Sequence, residues 1–291
     1  MLKPLAGVLD THTRLLIVPY GTTHALPFHA LPWQSRPLIA GHTVSYLPSA
    51  SILQFLAKPD NITKPKVLAV GNPAKMAYQA PFAEHAVAQP PLPSAETEAA
   101  HIAGLLNNSR LLTGPAATVT AVREALPNFN VLHFATHGVL AENAPLLSSI
   151  LLADGGALTV QDLIGLRLDA DLVVLSACRT GQGKSAGGDD VLGFSRGLLA
   201  AGARAAIVSL WPVDDLATSL LMAEFYRSLK AGATPGLALQ AAQNYLQALE
   251  PEAIRTGRRE ALNSRGVSVD SDAAPTDYRH PYYWAPFVLV G

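Results

Sequence analysis

Short apolar, β-branched runs recur along the chain: Leu15 to Val18, Val67 to Val70, Val131 to Thr136, Leu172 to Ser176, Ala206 to Leu210 and Phe287 to Val290. Each is continuous rather than alternating, the pattern of a strand covered on both faces. Helical patterns with start signals lie between them. Ser94 precedes the acidic turn of Glu96 and Glu98 in a segment that runs to about Leu106. Thr159 precedes Gln161-Asp162-Leu163, and Thr234-Pro235 opens an apolar-periodic stretch to about Leu249. Strands alternating with helices predict an α/β fold with a central, mostly parallel sheet.

Two stretches interrupt the pattern. Ala74 to Pro93 is rich in Pro and Ala without periodicity, and reads as a separator between an N-terminal lobe, 1–90, and a larger lobe, 91–291. Glu250 to Arg279 opens with Arg255, Arg258, Arg259 and Arg265, ends with Asp270, Asp272 and Asp277, and reads as a long exposed loop. At 291 residues, 49% hydrophobic and 15% charged, the chain can bury a sizeable core without staples. No apolar run approaches the roughly 20 residues of a bilayer helix, so no membrane partner is expected. Twenty-one Lys and Arg against 22 Asp and Glu leave a formal charge of -1, so no global field draws nucleic acid. The single cysteine excludes an internal disulfide and a cysteine-based zinc cluster, and no metal or cofactor is expected. With no secretory signal at the start of the sequence, a reducing, cytoplasmic setting fits.

Chemistry concentrates at two strand ends. Val131-Leu132-His133-Phe134-Ala135-Thr136-His137-Gly138 is an apolar strand ending on a His followed by a Gly, and Leu172-Val173-Val174-Leu175-Ser176-Ala177-Cys178 repeats the arrangement with the lone thiol. Parallel α/β sheets bind ligands beyond the carboxyl ends of their strands, so neighbouring strands would carry His137 and Cys178 to one rim. A free thiol is mostly protonated at neutral pH, and an adjacent imidazole can take its proton or stabilise the thiolate. From spacing alone, a buried structural cysteine and a hydrogen-bonded structural histidine remain the alternative. On a strand, His133 and His137 sit about 13 Å apart and cannot share a metal ion, and His133 reads as a sheet-buried residue with a hydrogen-bond partner. His24 and His29 read as structural. Gly183-Lys184-Ser185 echoes a phosphate-cradling loop, but Cys178 stands at the position of its first glycine.

Six ordered blocks resemble one family, the CHAT domain, a caspase-like peptidase module similar to separase. They are LLIVPYGTTHALPFHAL at 15–31, LPSAETEAAHIAGLL at 92–106, VLHFATHG at 131–138, LVVLSACRTGQG at 172–183, VLGFSRGLLAAGARAAIVSLWPVDD at 191–215 and HPYYWAPFVLVG at 280–291. The resemblance implies a caspase-like three-layer fold, with a dyad-less half in 1–90 and the active half in 91–291. It implies that His137 is the general base, that Cys178 is the nucleophile, and that Gly138 and Cys178 supply oxyanion-hole amides. The separase-like pattern W-x-V-x-D is met by Trp211, Val213 and Asp215, and implies an acidic pocket for a basic residue before the scissile bond. Asp189, Asp190 and Asp214 compete for that pocket, with a solvated loop or a helix cap as the alternative for Asp189 and Asp190 and a helix cap as the alternative for Asp215. The implied activity is a cysteine endopeptidase acting on protein or peptide substrates in bacterial signalling or defence, answering to a regulatory partner or sensor domain outside this chain. The reading from another class is a catalytically silent binding or assembly module with the same fold.

Overall fold

The protein is described from a computed structural model, over residues 2–54, 61–62, 64–79, 84–141, 144–176, 188–250 and 277–291, side chains being left aside at 188–193. Among these residues, eight strands form one sheet: β1 (Arg14–Ile17), β2 (Thr43–Tyr46), β3 (Val67–Pro73), β4 (Ser109–Gly114), β5 (Val131–Ala135), β6 (Leu172–Leu175), β7 (Ala206–Ser209) and β8 (Phe287–Val290). Their spatial order is β1-β2-β8-β7-β6-β5-β3-β4. All neighbours pair in parallel except β7 and β8, which are antiparallel. A block of five strands pointing one way therefore meets a block of three pointing the other.

Alternation along the strands sorts the core into two faces. Leu132 and Phe134 of β5, Val173 and Leu175 of β6, and Ala206 and Val208 of β7 pack on one side, with Val122 and Ala125 of α2 (Val119–Ala125), Val160 and Leu163 of α3 (Val160–Leu166), and Phe194 and Leu198 of α4 (Gly188–Ala200). Val131, Leu172, Val174 and Ile207 face the other side. There they meet Ala99 and Ile102 of α1 (Pro93–Leu105), Leu221, Phe225 and Tyr226 of α5 (Asp215–Lys230), and Ala238 and Ala242 of α6 (Pro235–Ala248). Helices cover both faces of a mostly parallel sheet, as the pattern predicts. Burying each large apolar side chain contributes about 1.5–3 kcal/mol.

The start signals at Thr159 and Thr234 hold: each side chain caps its helix, and Thr159 and Asp162 form a reciprocal capping box. Some expectations need correcting. β1 is an edge strand rather than one covered on both faces, and Leu16 is exposed. The stretch from Ala74 to Pro93 is more than a separator, because Met76 is buried and Ala77–Tyr78 pairs with Val87–Ala88. Of the loop expected at 250–279, residues 251–276 lie outside the described residues.

One glycine sets the height of α1 above the sheet. A Cβ on Gly71 would stand 2.6 Å from the Ala95 carbonyl oxygen and 2.6 Å from Ala99 Cβ. Because that atom is absent, α1 lies directly on β3 and reaches toward the carboxyl ends of β5 and β6.

Candidate active site

β5 and β6 are parallel neighbours in register, His133 opposite Val174 and Phe134 opposite Leu175. The pairing extends one step further, with Ser176 N–H donating to the Phe134 carbonyl at 3.0 Å. Both strands thus end at the same rim. His137 follows β5 by two residues. Ser176 is the last described residue before Cys178, which lies outside the described residues together with Gly183-Lys184-Ser185.

His137 is buried, 2% exposed, with its surroundings fixed on several sides. Its backbone carbonyl accepts from Leu151 N–H at 2.9 Å, and Thr136 Oγ1 donates to the Leu151 carbonyl at 2.8 Å. Gly138 stands opposite Ile150 in a short antiparallel pair. The imidazole Nε2 lies 2.8 Å from the Pro90 carbonyl oxygen. A carbonyl only accepts, so Nε2 carries the proton and Nδ1 of the neutral ring is the lone-pair nitrogen. Nδ1 is buried and has no hydrogen-bond partner among the described residues. Leaving such an acceptor unmet costs about 1–3 kcal/mol.

A small cleft opens at this rim, with free space of about 20 Å³, room for about one water. Its lining includes Glu98, Thr136, Ser176, Val213, Asp215 and Thr218. Asp215 is the first residue of α5 and is exposed. The cap of that helix is its neighbour Asp214, whose Oδ1 accepts from Ala217 N–H and from the Tyr278 hydroxyl, both at 2.9 Å. Trp211 donates from Nε1 to the Tyr282 carbonyl at 3.0 Å. Of the W-x-V-x-D pattern, Val213 and Asp215 reach the cavity lining, and Trp211 is held against the segment after Arg279. Asp189 and Asp190 lie in the first turn of α4, and their side chains are outside the description.

Beneath the cavity runs a buried polar chain that the sequence does not advertise. Glu98, 4% exposed on α1, accepts on Oε1 from the Ser176 hydroxyl and from His133 Nε2, the latter at 3.0 Å. His133 Nδ1 is 3.2 Å from the Tyr226 hydroxyl on α5. Burial, and after it the nearby Glu98 carboxylate, push Tyr226 well above the ordinary phenol range, so its hydroxyl stays protonated and donates. Both ring nitrogens of His133 thereby have hydrogen-bond partners. His133 is the sheet-buried, partnered residue that the strand geometry predicts.

Among the described residues, no group of three or more His, Cys, Asp and Glu is placed to hold a metal ion, and no helix is long and apolar enough to cross a membrane. The family model for the CHAT domain matches residues 1–291. The chain belongs to the CHAT domain family. Its similar proteins include tetratricopeptide repeat protein 28 of Mus musculus, 27% identical over 334 residues, and of Homo sapiens, 26% identical over 329 residues. Each alignment covers 98% of this chain, and the chain spans only 12% of the length of either relative. Among solved structures, the crystal structure of the Arg-specific cysteine proteinase gingipain R gives a TM-score of 0.46 at 11% identity, covering 86% of this CHAT domain and 54% of that chain.

Proposed function

We propose that this CHAT domain is a cysteine endopeptidase in which His137 activates Cys178. The observation that carries the reading is the His137 ring: Nε2 is tied to the Pro90 carbonyl, and Nδ1 is buried with no partner among the described residues. Ser176, two positions before Cys178 in the sequence, lies at the rim where β5 also ends. Nδ1 takes the thiol proton as sulfur attacks the scissile carbonyl, and then delivers it to the leaving amine. Water attacks the resulting thioester by the same route in reverse, releasing the acid and restoring the thiol. The amides of Gly138 and Cys178 are the proposed donors to the oxyanion. The side chain before the scissile bond enters the cavity at Asp215, whose carboxylate favours a basic residue. The 1–90 segment serves as a lobe without a dyad of its own. The setting that goes with this reading is regulated proteolysis of a protein substrate inside the cell, in bacterial signalling or defence, under control of a partner or sensor outside this chain.

The test is thiol reactivity followed by product mapping. With iodoacetamide at neutral pH, Cys178 is expected to alkylate fast, and His137→Ala to slow it about 100-fold or more. New protein termini released in a co-expressed lysate should vanish with Cys178→Ala. A slow alkylation rate that ignores His137 overturns the peptidase and leaves the silent binding module.

A further inference from the structure

The carbonyl that fixes the His137 ring belongs to a segment with few anchors of its own. Gln89-Pro90-Pro91-Leu92-Pro93 joins the short strand Val87–Ala88 to α1, and its three prolines have no backbone N–H. Only Gln89 and Leu92 have an amide to donate, and both are used. Gln89 N–H donates to the Met76 carbonyl at 2.8 Å. Leu92 N–H donates to a side chain, Oδ1 of Asn72, at 2.7 Å.

Asn72 sits on a firm base at the end of β3. Its φ is +46°, a left-handed conformation that asparagine bears better than most residues with a Cβ. The pairing of β3 with β4 shifts register at the same point, between Gly71 and Pro73. Just beyond it, Ala74 N–H donates to the Gly114 carbonyl and Asp154 N–H to the Ala74 carbonyl, both at 2.9 Å. The other end of the Asn72 amide, Nδ2, donates to Glu96 Oε2 at 2.9 Å, in the first turn of α1. One side chain thus links β3, the proline-rich segment and the start of α1. Pro90 and Pro91 each fix φ near −65°, so a shift of the Leu92 amide is carried to the Pro90 carbonyl rather than absorbed between them.

We propose that Asn72 is a positioning residue for His137: by clamping Leu92 it holds the Pro90 carbonyl 2.8 Å from Nε2, and so keeps the lone pair on Nδ1. The proposal rests on the reading above that His137 is the base, and adds which side chain fixes its tautomer and ring direction. The hydrogen bonds of the Asn72 side chain run to Leu92 and Glu96, so it acts on the ring through the Pro90 carbonyl.

The experiment uses the full chain and two readouts. In a Cys178→Ala background, the hydrogen-bonded Nε2 proton of His137 is expected as a slowly exchanging downfield NMR resonance, assigned by its loss in His137→Gln. Asn72→Gly suits the left-handed backbone and removes both side-chain hydrogen bonds, and should lose that resonance to exchange with water. With Cys178 present, the same variant should slow alkylation by iodoacetamide about tenfold, the worth of one hydrogen bond. Asn72→Asp sets one carboxylate against another and should slow alkylation several-fold. Adding Glu96→Gln to it exchanges donor and acceptor and should restore both readouts. That pair also serves if Asn72→Gly does not fold. A purely structural asparagine would lower the melting temperature in Asn72→Gly and leave the resonance and the rate where they were, which overturns the proposal. So does a chain that lacks the resonance from the outset, or an exchange pair that restores neither readout. If the resonance follows Asn72 while alkylation ignores both His137 and Asn72, the clamp stands and the peptidase reading falls.

Discussion

At the scale of single residues, burial decides which ionisable groups respond to acid. His29 is 2% exposed, faces Gln243 at 3.2 Å and packs edge-on against Trp284. Desolvation lowers its pKa from 6.5 to about 4, opposed by a hydrogen bond to the Ala285 backbone. The folded protein thus holds a neutral ring where the unfolded chain binds a proton. The associated stability is complete above pH 6.5 and drains away as pH falls toward about 4. The full loss is on the order of 3 kcal/mol. Urea midpoints at pH 7 and pH 4.5 should therefore converge in His29→Gln compared with the parent protein. The same scale shows what the sequence conceals. His137 and Cys178 declare themselves because each ends an apolar run. Glu98 and Thr218 look like ordinary polar positions on amphipathic helices, and only the packing of those helices over the strand ends brings them to one cavity.

At the scale of elements, the close contact between α1 and β3 is the sensitive joint. Gly71→Ala places a methyl group against the Ala95 carbonyl and Ala99, and one of the two elements must move. Overpacking of this kind costs about 1–3 kcal/mol. We expect the variant to lose thermal stability, and Ala99→Gly in the same background to recover part of it. Elements were legible where apolar runs were long. β3, β5, β6, β7 and β8 coincide with such runs. β2 and β4 were missed because Thr43-Val-Ser-Tyr mixes polar and apolar residues, and because Ser109–Gly114 is an edge strand with exposed Arg110 and Leu111. The cap of α5 falls on Asp214 rather than Asp215, a one-residue distinction that composition cannot make.

At the scale of the whole molecule, the sheet binds distant parts of the chain into one unit. β3, from before residue 90, is hydrogen-bonded on both flanks to strands from after it, β5 and β4. The Pro90 carbonyl holds His137. A single cut introduced after residue 90 should leave the two pieces associated through gel filtration, and residues 91–291 expressed alone should be insoluble or fail to react with iodoacetamide. If that shortened chain folds and keeps a His137-dependent thiol, the first 90 residues are dispensable to the rim.

β8, which closes the gap between the two oppositely directed blocks, comes from the end of this sequence. Among the described strands, β7 and β2 have no direct pairing and meet only through Phe287–Val290. Were that segment to peel away, both would expose bare backbone across a four-residue vacancy, the kind of edge that recruits foreign strands. Docking of this one short segment therefore guards the seam of the sheet against strand exchange with a neighbouring molecule.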